Sequence, residues 1–383
     1  MEEIYFDNAA TTRTDPEVAA LVTHVLCEEY GNPSSLHSRG VGAQRLIERA
    51  RRQLEGALGM RRDKGKILFT SGGTEANNLA LFGGASALRR RGRRIVTTSV
   101  EHASVLEAAR ELENRGFEPV FLDPGPDGTV PVEALLEACN EETVLVSMML
   151  VNNETGAVQP LVDPQVIAQL RRRAPHALIH ADAVQAFGKH PFSMAALGLD
   201  MITVSAHKIH GPKGSGALAL GPGVRILPQL FGGEQQEKLR PGTENVAGIA
   251  ALGLAAENAV SHLEENRAIA AAVGAEVRAR LEGKEGIVFH SPRNSSPFLL
   301  NLSVVGYRSE TMLHALAAEG IYLSSGSACS KGAQSHVLAA MGCPPREIDS
   351  ALRLSFSKYN TPEQAARFAE VLLGLTRTLR RSK

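Results

Sequence analysis

From residue 39 to about 257, short apolar runs alternate with amphipathic helical stretches, and this alternation limits the possible folds more than any other feature of the chain. Strands that need both faces covered, joined by helices carrying one apolar stripe, close most readily as a mainly parallel sheet between helical layers. The stretch 39–58 is a clear helix: Leu46, Ile47, Ala50, Leu54, Ala57 and Leu58 recur on one face, and Gly59 stops it. Strands are predicted at 66–70, 94–98, 119–122, 143–151, 178–181, 201–205 and 216–220. Helices are predicted after residue 70 and at 102–114, 131–139 and 163–173.

The rhythm changes near residue 257. One long helical stretch is predicted over 246 to about 280, followed by a region poorer in strands. At the far end Thr361 can cap a helix, Pro362 suits its first position and Gln364 completes a capping box. Phe368, Val371, Leu372, Leu375 and Leu379 then share a face, so 361–380 reads as a docked helix. The expected organisation is a large domain over 15–257 and a smaller one combining 1–14 with 258–383.

Composition narrows the function classes. The 383 residues carry 41 Lys+Arg against 41 Asp+Glu, a net charge of zero, which removes the usual electrostatic reason to expect nucleic acid or a membrane surface as partner. The first residues, MEEIYFDNAATT, have no apolar signal-peptide core, and the longest apolar run, 246–256, is too short for a membrane helix. A cytoplasmic location is the expectation. The four cysteines, Cys27, Cys139, Cys329 and Cys343, make no CxxC pair and no metal-ligand spacing. Cys27 and Cys139 fall in helical apolar patterns and are expected to be small buried residues.

Four segments carry chemistry. In FTSGGTEANNL (69–79) a strand meets a helix at Gly72-Gly73-Thr74, where backbone N–H groups and a hydroxyl suit a phosphate, although Gly-Gly also serves as an ordinary turn. In IHADAVQ (179–185) Asp182 stands at a strand end, where α/β folds place ligand contacts; capping the next turn is the competing role. Lys208 follows the strand 201–205 directly, and a lysine there loses hydration and gains Schiff-base reactivity; Ser205 and His207 can donate to a phosphate. Together the three segments supply what pyridoxal phosphate needs: an amine for its aldehyde, a carboxylate for its ring nitrogen and a cup for its phosphate. The fourth segment, SSGSACSKGAQS (324–335), is Gly/Ser-rich and expected to be a mobile loop presenting Cys329 as a nucleophile.

The chain resembles the cysteine desulfurases, pyridoxal-phosphate enzymes of the class V aminotransferase group. The resemblance runs through FDNAATT (6–12), YGNPSSLH (30–37), FTSGGTEANN (69–78), EHASVLE (101–107), VNNETG (151–156), HADAVQ (180–185), SAHKIHGPKG (205–214), RPGTENV (240–246) and SSGSACS (324–330). It implies fold type I of these enzymes: a large domain with a mainly parallel seven-stranded sheet between helices, plus a smaller α+β C-terminal domain. It also implies roles. Lys208 would hold the cofactor aldehyde and move protons, His102 would stack on the ring and act as acid or base, Asp182 would pair with the ring nitrogen, and Gln185 would bond the phenolic oxygen. Gly73, Thr74, Ser205 and His207 would hold the phosphate, and Thr243 would reach the phosphate of a partner subunit, implying a homodimer. Asn153 and Arg353 would bind the substrate carboxylate, and Asn153 would also border the cofactor. The implied reaction converts L-cysteine to L-alanine, leaves a persulfide on Cys329, and passes that sulfur to an acceptor such as an iron–sulfur scaffold or a tRNA thiolation enzyme.

A selenocysteine lyase or an aminotransferase on the same fold is the alternative. Cys329 in its Ser/Gly loop argues against an aminotransferase, which needs no thiol. A non-catalytic sulfur carrier would have no use for Lys208, Asp182 and His102 together. Two features depart from the family pattern: the segment after Cys329 is a little shorter than in the best-known members, and Ser357-Lys358 stand where relatives often carry Gly-Arg.

Overall fold

All seven strands expected in the first 220 residues join one sheet. They are β1 (Lys66–Thr70), β2 (Arg94–Thr98), β3 (Glu118–Leu122), β4 (Thr143–Met149), β5 (Leu178–Asp182), β6 (Met201–Ser205) and β7 (Gly216–Leu220), in the order β1-β7-β6-β5-β4-β2-β3. Strand β7 runs antiparallel to both neighbours and the other pairings are parallel. The computed structural model describes residues 3–61, 65–325 and 334–381. Every residue of β4, β6 and β7 is buried, as expected of strands with helices over both faces.

Helix Ser38–Ala57 buries Ala43, Ile47, Ala50 and Leu54 against helix Val246–Ser261, where a Cβ added to Gly253 would lie 2.8 Å from the Cβ of Ala50. The single long helix expected over 246–280 is instead two, Val246–Ser261 and Leu263–Leu281, bent by 71°. The break has a local cause. The Ser261 hydroxyl (3.1 Å) and the His262 ring (3.0 Å) both reach the Asn258 carbonyl, and His262 leaves helical geometry.

Beyond the bend, strands Ile287–Phe289, Leu299–Val304 and Ala351–Ser355 form a separate antiparallel sheet. Helix Pro362–Thr378 packs against Leu263–Leu281, with Thr361 accepting from the Gln364 N–H as its cap. Ile4 and Phe6 join this second core, and Ile4–Tyr5 pairs with Ile321–Tyr322. Phe6 sits edge-on to Phe356 and Phe368, with ring centroids 5.2 and 6.1 Å away. The Asn8 amide donates to Ser355 O (2.9 Å), and the Ser355 hydroxyl accepts from Ala9 N (2.7 Å). The N-terminal segment therefore leaves the second core and runs directly over the ends of β5 and β6.

One expectation about cysteines is corrected. Cys139 is buried, but Cys27 is exposed at the last turn of helix Pro16–Cys27, whose buried face is set by Val18 and Val25.

Candidate functional site

The strand register sets the site. Asp182 ends β5 and pairs with Met149 at the end of β4 and with Thr203 on β6. Ser205 ends β6, and a short 3-10 turn carries Ala206, His207 and Lys208 immediately beyond it. Helix Gly73–Leu88 leaves β1, and His102 caps helix Ala103–Asn114 after β2. These ends enclose a cavity of about 450 Å³. Gly73, Thr74, His102, Asn153, Asp182, Gln185, Ser205, His207, Lys208 and Arg353 all line it. Ala9 and Ala10 of the N-terminal segment supply another wall.

Each polar wall has a defined role in the hydrogen-bond network. Lys208 Nζ donates to the carbonyls of Ala9 (2.6 Å) and Ala10 (2.7 Å), which fixes the amine at the cavity edge. Asp182 Oδ1 accepts from the Val184 N–H (2.9 Å), so the local turn role and the cavity role coexist. Its Oδ2 accepts from the Asn77 amide (2.7 Å). Asn77 also donates to Ser104 Oγ (2.8 Å), and Ser104 Oγ lies 2.8 Å from His102 Nδ1. That nitrogen already accepts from the Ser104 N–H (3.1 Å), so the Ser104 hydroxyl proton points to it as well. Hydrogen-bond geometry thus assigns the neutral imidazole its proton on Nε2. Asn77 and Ser104 were not singled out from sequence, yet they join the aspartate to the histidine.

Burial, with the charges of Lys208, Lys213 and Lys189 adding, holds His207 down to about 4, so it stays neutral at physiological pH. Arg353 donates from Nη1 to Asn153 O (3.1 Å) and from Nη2 to Asp7 Oδ1 (3.1 Å), which ties the two residues expected to bind a carboxylate to each other. Gly73 has a steric reason to be glycine: an added Cβ would come within 3.0 Å of Val184 Cγ2.

Glu101, beside His102, is fully buried and accepts from Thr98 Oγ1 (2.9 Å) and the Met149 N–H (2.9 and 3.1 Å). Burial, reinforced by the Asp182 charge, pushes its carboxyl up to about 8. The unfolded chain ionises this group near the ordinary carboxylate value, whereas the folded chain keeps the proton until about pH 8. The folded state binds more protons across that window, so stability falls as pH rises through it. Glu101→Gln cannot ionise and is expected to flatten the decline in melting temperature between about pH 5 and 8. Calorimetry of both proteins across that range checks this; parallel declines would contradict it.

One expected site residue stands elsewhere, and another lies outside the described residues. Thr243 is outside the cavity and lines a separate depression with Ser71, Arg240 and Asn245. Cys329 and most of the 324–335 loop lie outside the described residues. The flanks of that segment are placed. Ser324 and Arg353 exchange backbone hydrogen bonds (3.3 and 2.6 Å), and the Ser335 hydroxyl donates to Glu154 (2.5 Å). Both flanks are therefore held beside Arg353 and the Asn153-Glu154 pair.

Comparison with known proteins agrees with this geometry. The family model "Aminotransferase class-V" matches residues 4–368. A relative from Trichormus variabilis named "Cysteine desulfurase 2" is 40% identical, with 99% of this chain and 94% of that one covered. A solved structure titled "NIFS-LIKE PROTEIN" superposes with a TM-score of 0.92 at 36% identity, covering 99% of this chain and 100% of that chain. Another, "SspA in complex with cysteine", gives 0.79 at 28% identity, covering 94% of this chain and 100% of that one.

Proposed function

The chain belongs to the aminotransferase class-V family, whose members depend on pyridoxal phosphate, and we propose that it is a cysteine desulfurase that takes the sulfur of L-cysteine onto Cys329 and releases L-alanine. The observation that carries the proposal is one cavity in which a strand-end lysine, a strand-end carboxylate and a glycine at a helix start converge, in a chain whose full-length relative is named a cysteine desulfurase.

The donor set fits pyridoxal phosphate. Lys208 would hold the aldehyde, Asp182 the ring nitrogen, Gln185 the phenolic oxygen, and Gly73, Thr74, Ser205 and His207 the phosphate. When bound, this group supplies an aldehyde for the substrate amine and a protonated ring that accepts electrons released at the substrate carbon. The carbonyls of Ala9 and Ala10 hold Lys208 Nζ at one place, which suits the amine to carry a proton to and from a fixed point. Both carboxylate oxygens of Asp182 accept a hydrogen bond, which fixes the orientation of the carboxylate that would face a ring N–H. His102 borders the same cavity. Arg353 and Asn153 would orient the substrate carboxylate. In the sulfur-transfer step the Cys329 thiolate attacks the substrate sulfur: the new S–S bond forms, the carbon–sulfur bond breaks, and its electron pair goes to carbon, which takes a proton and leaves as alanine.

Asn77→Leu is expected to weaken binding of pyridoxal phosphate by about tenfold, because Asp182 loses a hydrogen bond of roughly 1.5 kcal/mol and Ser104 loses its donor. Titration of the apoprotein measures it, and unchanged affinity would contradict the arrangement. Equal yields of sulfide and alanine from L-cysteine, with a thiol reductant present, test the function itself. Pyruvate or an amino-group exchange in place of alanine would sink it in favour of another activity of this family.

A homodimer forms part of the proposal. The segments containing Pro33 and Ser34 and containing Gln235 and Gln236 border one cleft, and nearby Leu36 and Phe231 are 99% and 87% exposed. Large apolar side chains exposed in this way suit a second copy of the chain, which would also carry Thr243 toward a partner's phosphate. We also take 15–257 as the cofactor domain, 1–14 with 258–383 as the small domain, the cytoplasm as the location, and an iron–sulfur scaffold or tRNA thiolation enzyme as the sulfur acceptor.

A further inference from the structure

Lys189 is a buried lysine that the chemistry above does not use. It is 7% exposed, and among the described residues it has no ion pair. Among the described residues, the one carboxylate lining the small cavity it shares with Lys208 is Asp15, which is already engaged by Lys358 Nζ and Tyr359 Oη, both at 2.7 Å. Lysines are almost never buried without a partner, because the charged head loses its hydration. Burial, with the charges of Lys208 and Arg353 adding, pushes this one down to about 7. In either protonation state the amine keeps N–H donors.

Its hydrogen bond goes to one place, Gln185 Oε1, at 3.2 Å. Gln185 is itself 5% exposed, lines the main cavity, and donates from Nε2 to Ala9 O (3.0 Å), the carbonyl that also holds Lys208. An amide has one acceptor end and one donor end with two hydrogens. With Oε1 on Lys189 and one Nε2 hydrogen on Ala9, the second Nε2 hydrogen remains for an acceptor in the cavity. If the amide were flipped, its oxygen would face the Ala9 carbonyl and its NH₂ would face an amine.

We propose that Lys189 is a positioning residue that locks the Gln185 amide with its donor end toward the phenolic oxygen of the cofactor. This rests on the pyridoxal-phosphate reading of the cavity. Lys189 does not touch the cofactor; it acts through Gln185. A lysine that merely filled space would be replaceable by methionine, which has similar length and no buried charge to desolvate.

The test titrates apoprotein with pyridoxal phosphate and records the visible absorption spectrum, for wild type, Lys189→Met, Lys189→Arg, Gln185→Leu and the double variant Gln185→Leu/Lys189→Met. Lys189→Met should bind about tenfold more weakly with a displaced visible maximum, the size expected for one hydrogen bond to a charged group. Lys189→Arg, which keeps a donor, should stay within about threefold of wild type. The double variant should bind no more weakly than Gln185→Leu alone, because the lysine acts through the lost amide. Wild-type affinity and spectrum in Lys189→Met, or additive losses in the double variant, would overturn the inference. If the methionine variant does not fold, Lys189→Leu is read in the same way. Failure of the wild type to bind pyridoxal phosphate would instead overturn the reading on which the inference rests.

Discussion

Lys208→Ala is expected to lose the visible absorbance of a lysine-bound cofactor and to lower turnover of L-cysteine by about 10⁴-fold, the upper range for removal of a positioned acid–base group. The size follows from how the amine is held. Two consecutive carbonyls, Ala9 and Ala10, grip Nζ at 2.6 and 2.7 Å, so its proton is delivered from one fixed place. Among the described residues, the two lysines whose charges bear on this site are not built to substitute. Lys189 is directed at Gln185, and Lys213 is exposed. Absorbance spectra and single-turnover kinetics of the variant check this. Retention of the visible band would contradict the assignment of Lys208.

Cys329→Ser is expected to lower sulfide production by at least about 10³-fold while leaving cofactor binding intact. A serine hydroxyl at neutral pH offers almost no anion and forms no stable bond to a sulfane sulfur, whereas a thiolate does both. Two of the other three cysteines are poor nucleophiles. Burial pushes Cys139 up to about 11, and burial with the Glu347 charge raises Cys343. The two observables separate the account's parts: loss of cofactor binding together with loss of sulfide would place Cys329 in the cofactor site instead. Sulfide assays alongside absorbance spectra measure both.

Much of the large sheet could be read from sequence because its strands are continuous apolar runs between helices of clear period. Six of the seven agree to within one residue, and β4, expected over 143–151, stops two residues earlier at Met149. The small sheet was harder for a physical reason. Leu299–Val304 contains Asn301 and Ser303, which break the apolar run but find distant partners once folded: Asn301 donates to Glu154 O and Ser303 to Glu347 O. Helix Pro16–Cys27 is legible in sequence only as a helical apolar pattern around Cys27, without bounds, although an Asp-Pro pair marks its start. Asp15 makes no capping bond there, because its carboxylate is taken by Lys358 and Tyr359. That ion pair gives Lys358, at a departure from the family pattern, a defined task tying the chain's two ends together.

At the site, a local signal marks a glycine pair at a helix start or a charged residue at a strand end, whereas His102, Gln185, Asn153 and Arg353 are legible only through the family resemblance. Asn77, Ser104 and Lys189 carry no such signal. Asn77 meets Asp182 across 105 positions of sequence, and nothing short of the folded sheet brings the two together. Thr243 shows the converse. Its motif is plain in sequence, but in a single chain it stands away from the cavity.

The central claim is that this cavity and Cys329 together move sulfur from cysteine to protein. Mass spectrometry of the pyridoxal-phosphate-loaded protein after brief exposure to L-cysteine, without reductant, tests it most directly. The account predicts a gain of one sulfur atom, removable by a thiol reductant and mapped by proteolysis to the peptide carrying Cys329. Alanine formation with no added sulfur on that peptide, or sulfur mapped to Cys27, Cys139 or Cys343, would contradict it.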